Sequence, residues 1–191
     1  METFARTAVI GIGNEFRRDD GVGWVAVSLL RDRATRRQLP RGTVLAQCDG
    51  DPGRLIGLWE NIDLVIVVDA CFLPSAQPGR IRRWDAATGS RLGPAAPGRH
   101  STHGLGLAEA LCLGDALGRG PGRLIVYAVE GADRSVGVGL SAAVARVVPR
   151  LVRRIEAELE QHDGASGHAR AGTAPPVGTR RTGFAARRPP A

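Results

Sequence analysis

The sequence predicts an α/β fold: a three-layer sandwich in which a mostly parallel sheet of about five strands carries helices on both faces. Three observations predict it. Short apolar runs rich in Val and Ile stop at a glycine or an acidic residue. Stretches with apolar residues at helical spacing stand between them. The two kinds alternate along the chain, and that alternation lays successive strands parallel with helices over the sheet.

The first strand is read from Thr7 to Gly13, where Val9, Ile10 and Ile12 are closed off by glycines. A helix follows from about Asp20 to Arg33, with Val22, Val25, Ala26, Leu29 and Leu30 on its inner face. Carboxylates at its start suit the helix dipole. Thr43 to Gln47 reads as a second strand. Asp51 then caps a helix from about Pro52 to Asn61, with proline at its first position. Leu64 to Ala70 is the most apolar run. Its β-branched residues fit a central strand buried on both faces, closed by Asp69. Gly79 to Asp85 reads as an edge strand, and the Gly- and Pro-rich stretch from Ala86 to Arg99 as a flexible loop. A helix from Gly104 to Leu117 turns Leu107, Ala110, Leu111 and Leu117 inward. Arg123 to Val129 forms another strand, ended by Glu130 and Gly131. Ser141 is placed to cap a last helix running to about Gln161. Leu140, Val144, Val147, Val148, Leu151, Ile155 and Leu159 make its stripe, and Pro149 is expected to bend it.

Residues 1–162 thus form one domain, a normal size for a single core. Residues 163–191 are Gly, Ala, Pro, Thr and Arg with few large apolar side chains. They bury too little to offset the entropy of ordering, and a disordered tail is expected.

The net charge is +7, and all 26 basic residues are arginine. Arg170, Arg180, Arg181, Arg187 and Arg188, against Asp163 alone, place more than half of the excess in the tail. A folded nucleic-acid binder shows instead a basic face with interleaved aromatics, so nucleic acid is not expected as a partner. No run is long enough to span a membrane, and no secretory signal opens the chain; a cytoplasmic protein without membrane association is expected. Cys48, Cys71 and Cys112 are odd in number and widely spaced. They are expected to be buried, reduced thiols.

Strands that end at glycine leave their loops at the carboxyl edge of a sheet, where open α/β folds bind ligands. Three segments converge there: Asp19-Asp20, Asp69 and Ser101-Thr102-His103-Gly104. Gly11-Ile12-Gly13-Asn14 is not a dinucleotide fingerprint, because Phe16 stands where a third glycine is needed and the following carboxylates repel a pyrophosphate. Asp19 and Asp20, taken locally, are ordinary helix caps. Asp69 directly after an apolar central strand calls for a partner or a ligand. His103, with His100 as its nearest rival, sits in a polar turn ahead of a helix. Together, two carboxylates and an imidazole suit a borderline divalent ion such as nickel or zinc, and three protein ligands leave room for a substrate group or water.

The succession GIGNEFRRDDGVG, LVIVVDA and STHGLGLAEAL, followed by an apolar C-terminal helix, resembles the hydrogenase maturation proteases over about residues 7–160. The resemblance implies a twisted, mostly parallel sheet between helices. It implies an aspartic-type or metal-dependent endopeptidase that removes a C-terminal peptide from a [NiFe]-hydrogenase large-subunit precursor after nickel insertion. By motif position the metal-contacting residues are Asp20, Asp69 and His103, with Asp20 and Asp69 as the catalytic carboxylates. Some relatives carry glutamate at the first position, so Asp20 has a shorter reach. Asp49 to Gly53 matches an Asp-Gly turn near the family's site. Nickel, or another divalent ion in its place, arrives with the precursor, which is the expected partner. The alternative reading is a non-catalytic metal-sensing or chaperone module that binds such a precursor without cutting it.

Overall fold

The computed structural model describes residues 6–87 and 104–171. Five strands form one sheet: β1 (Thr7–Ile12), β2 (Thr43–Cys48), β3 (Leu64–Cys71), β4 (Ile81–Ala87) and β5 (Arg123–Glu130). Their order is β2-β1-β3-β5-β4. All neighbours pair in parallel except β4, an antiparallel edge strand on β5. This is the α/β sandwich that the alternation predicts. The helices are α1 (Val22–Ala34), α2 (Pro52–Trp59), α3 (Gly104–Ala116) and α4 (Ala142–Ala171).

Every residue of β3 is buried, and its side chains alternate between two cores. Leu64, Ile66, Val68 and Ala70 pack with Val22, Val27 and Leu30 of α1 and with Val148, Leu151 and Ile155 of α4. Val65 and Val67 face the other way, onto Leu55 and Trp59 of α2 and Leu107 and Ala110 of α3. Asp69 falls on this second face by the same alternation. Close packing of α1 on the sheet depends on Gly23: a Cβ there would lie 2.3 Å from the Ile12 carbonyl oxygen and 2.5 Å from that of Val68. The N-terminus of α1 is thereby held over the carboxyl ends of β1 and β3.

Several expectations are corrected. The chain after β1 makes a 3-10 turn, Arg18–Gly21, before α1 begins at Val22. Val25 and Leu117 are exposed, because helical periodicity does not tell which flank of a stripe the sheet covers. Cys48 and Cys71 are buried as expected, but Cys112 is exposed on α3. Val152, outside the expected stripe of α4, is fully buried. The last helix continues ten residues beyond Gln161, to Ala171, into the segment expected to be disordered. Ala165 has high helix propensity, against the cost of Gly164 beside it. Residues 172–191 lie outside the described residues, as does most of the expected loop from Ala86 to Arg99.

Candidate functional site

The carboxyl edge of the sheet is built by four segments: the turn after β1, the loop after β2, the end of β3 and the loop after β5. The turn after β1 starts from Gly13, whose φ of +143° is open to glycine and rarely to other residues. A Cβ on Gly13 would sit 1.9 Å from the Asp20 carbonyl oxygen, so the chain folds back tightly here. Arg18 is left-handed, with φ of 50°. It is held there by a hydrogen bond from its N–H to the Gly137 carbonyl, at 2.9 Å, and another from its guanidinium to the Val138 carbonyl, at 3.1 Å.

The two aspartates that follow are both buried. Asp19 is wholly buried and is not the simple helix cap of the local reading. Its carboxylate accepts hydrogen bonds from the N–H groups of Ala132 and Asp133, at 2.8 and 3.0 Å. It also accepts from the N–H of Ser141 at 2.7 Å and the Ser141 hydroxyl at 2.9 Å. Asp19 therefore ties the loop after β5 to the turn after β1. Ser141 does precede α4 as expected, with its carbonyl accepting from Ala145, but its hydroxyl serves Asp19.

Asp20 is 1% exposed, in a turn that packs against β3. Asp69 is 4% exposed near the end of β3, and its carboxylate accepts the Ala70 N–H at 2.8 Å. The structure thus brings the segments of Asp20 and Asp69 to one rim. His103 and His100 lie outside the described residues. Their sequence neighbour α3 reaches this rim too: a Cβ on Gly106 would lie 2.1 Å from the Gly50 carbonyl oxygen, in the Asp49–Gly53 loop. Among the described residues, no group of three His, Cys, Asp or Glu side chains is gathered to hold a metal ion.

Two further acidic and thiol groups line the end of the sheet. Glu130, fully buried, accepts from the Gln77 N–H at 2.5 Å and from Arg82 Nε at 2.6 Å. Burial raises its pKa, but these donors and the nearby Arg80 outweigh it and hold the carboxyl below its ordinary value. Burial, with the charges of Glu130 and Asp69, pushes the Cys71 thiol up to about 11. Cys71 is therefore an un-ionised thiol at neutral pH and a poor nucleophile. Asp19 and Glu130 are the structural acids that sequence reasoning missed. The only signal for either was an acidic residue at a strand end or rim turn.

Comparison with known proteins agrees with this architecture. The family model for hydrogenase maturation protease matches residues 47–158, more than half of the chain. That span includes Asp69 and His103 and leaves out Asp20. The hydrogenase maturating endopeptidase HybD from E. coli is 24% identical, with a TM-score of 0.66 over 82% of this chain and 93% of that one. The [NiFe] hydrogenase maturation protease HybD from Thermococcus kodakarensis is 20% identical, with a TM-score of 0.64 over 81% of this chain and 99% of that one. At these identities the structures show the shared fold. No curated protein matches the chain. A peptidase family is thus defined by fold and sequence together. The chain belongs to the hydrogenase maturation protease family. No described helix is long and apolar enough to cross a membrane.

Proposed function

We propose that this protein removes a C-terminal peptide from a nickel-loaded [NiFe]-hydrogenase large-subunit precursor, reading the substrate-borne nickel through Asp20, Asp69 and His103. The observation that carries the reading is Asp69. It is a buried carboxylate near the carboxyl end of the central strand, on the rim where the Asp20 turn packs against that strand and where open α/β sheets hold their ligands. Membership of a maturation protease family supplies the class of reaction.

The chemistry of the donors fits an ion delivered by the substrate. Two carboxylates and one imidazole suit nickel or zinc, and such a small set holds a free ion weakly. His103 stands one residue before α3, whose first turn lies against the Asp49–Gly53 loop on the same rim. With nickel supplied by the precursor, these side chains complete its coordination and fix the scissile bond beside them. The ion supplies positive charge near the scissile carbonyl. One carboxylate takes a proton from the attacking water and returns it to the leaving amine nitrogen as the peptide bond breaks.

Asp69→Asn and His103→Ala test the assignment. Each is expected to leave the thermal melt cooperative and to abolish trimming of the precursor. Trimming at the parent rate by either variant removes that residue from the mechanism. The proposal places the reaction at this rim and the protein in the cytoplasm.

A further inference from the structure

A second feature of the rim is apolar and exposed. Phe16, Val136 and Val138 are 61%, 86% and 69% exposed. Isolated exposed apolar residues are ordinary. These three stand on two segments locked to one another. Arg17 bridges to Gly137, and the Gly137 N–H donates to the Phe16 carbonyl at 2.8 Å. That register sets Phe16 beside Val136, and the buried Asp19 carboxylate anchors the same two segments from beneath. The patch is therefore presented on a fixed platform, which lowers the ordering cost of binding.

The same loop after β5 that carries Val136 and Val138 also lines a groove of about 500 Å³, with Phe72, Leu73, Pro74, Ala76 and Pro78 from the loop after β3. Arg134 completes it, its guanidinium 5.7 Å from the centre of the Phe72 ring. Arg17, Arg18 and Arg134 are exposed on this rim. Of the carboxylates on the same segments, Asp19 and Asp20 are buried and Asp133 is engaged with the Ser135 N–H at 2.8 Å. Glu15 is left as the exposed counter-charge. The surface is apolar with a cationic border.

We infer that this platform and groove dock the precursor through an apolar segment flanked by carboxylates, next to the bond to be cut. The inference rests on the proposed function and extends it to the recognition surface. Its partner is the precursor protein itself, because the patch borders the rim that carries Asp20 and Asp69.

The test is a combined Phe16→Ser, Val136→Ser, Val138→Ser variant, with Arg134→Glu as a separate variant. Each is compared with the parent for calorimetric binding of the nickel-loaded precursor and for trimming kinetics. The combined variant is expected to melt as the parent does and to raise Kd and KM about tenfold, with kcat within about twofold, as for loss of uniform binding. Arg134→Glu is expected to weaken binding at low salt, with the difference shrinking at high salt. Kd and KM of the combined variant within about twofold of the parent would overturn the docking surface, whether or not the precursor is cut. If the parent binds the precursor but leaves it intact, the proposed function fails, while lost binding in the combined variant still upholds the surface.

Discussion

Ser141 gives both its backbone N–H and its hydroxyl to the carboxylate of Asp19, at 2.7 and 2.9 Å, across 122 residues of chain. With the N–H groups of Ala132 and Asp133 on the same carboxylate, this is the junction between the first and last connections of the sheet. It sets the turn that carries Asp20. Asn in place of Asp19 keeps the shape but brings an NH2 against one of the donors. Asp19→Asn is expected to cost about 1–3 kcal/mol in urea unfolding and to slow trimming with it. Unchanged stability would mean that those hydrogen bonds do not hold the junction together.

Gly106 and the Gly50 carbonyl touch so closely that a methyl group cannot be inserted without moving one of them. Gly106→Ala is expected to destabilise the fold by about 1–3 kcal/mol through overpacking, and to lower trimming by shifting the start of α3, directly after His103. Gly57→Ala is the control. A Cβ there meets nothing within 4 Å, and better helix propensity makes that change neutral or stabilising.

Glu130 gives the fold an acid sensitivity of definite sign. Its folded pKa is depressed from the ordinary glutamate value of 4.5. Its contribution to stability is therefore complete above about pH 4.5 and is lost as pH falls through the folded value. Melting temperature measured from pH 6 downward is expected to fall below about pH 4.5, and to fall less steeply in Glu130→Gln, which starts lower. Parallel curves for the two proteins would remove Glu130 as a source of the acid response.

The thiols separate by access. Cys112 is exposed, whereas Cys48 and Cys71 are buried, and Cys71 is held as a thiol by a pKa near 11. Brief treatment with iodoacetamide at neutral pH is expected to add one adduct to the native chain, at Cys112, and three after denaturation. Rapid native labelling of Cys71 would show that the sheet end opens in solution.

What the sequence made legible follows from which interactions are local. β3 announced itself because a strand buried on both faces is apolar at every position, as Val65 to Val68 are. The start of α2 was legible because its cap is local: Asp51 accepts the Arg54 N–H at 2.8 Å, with Pro52 first in the helix. β4 was legible as an edge strand from its alternation of Ile81 and Arg82, but its antiparallel pairing with β5 was not. Asp19 was not, because its partners lie over a hundred residues away, and nothing local tells a buried acceptor from a helix cap. Leu117 and Val25 were misplaced because periodicity gives a stripe without its margins. Of the candidate site, Asp20 and Asp69 were legible as acids on one rim. The role of Glu130 beneath them depends on Arg82 and Gln77, which only the folded sheet edge brings together.

Mass analysis of nickel-loaded and nickel-free large-subunit precursor after incubation with this protein tests the central claim most directly. Loss of a short C-terminal peptide from the loaded form alone is the predicted result. Cleavage of both forms alike, or of neither, would contradict the reading of nickel through Asp20, Asp69 and His103.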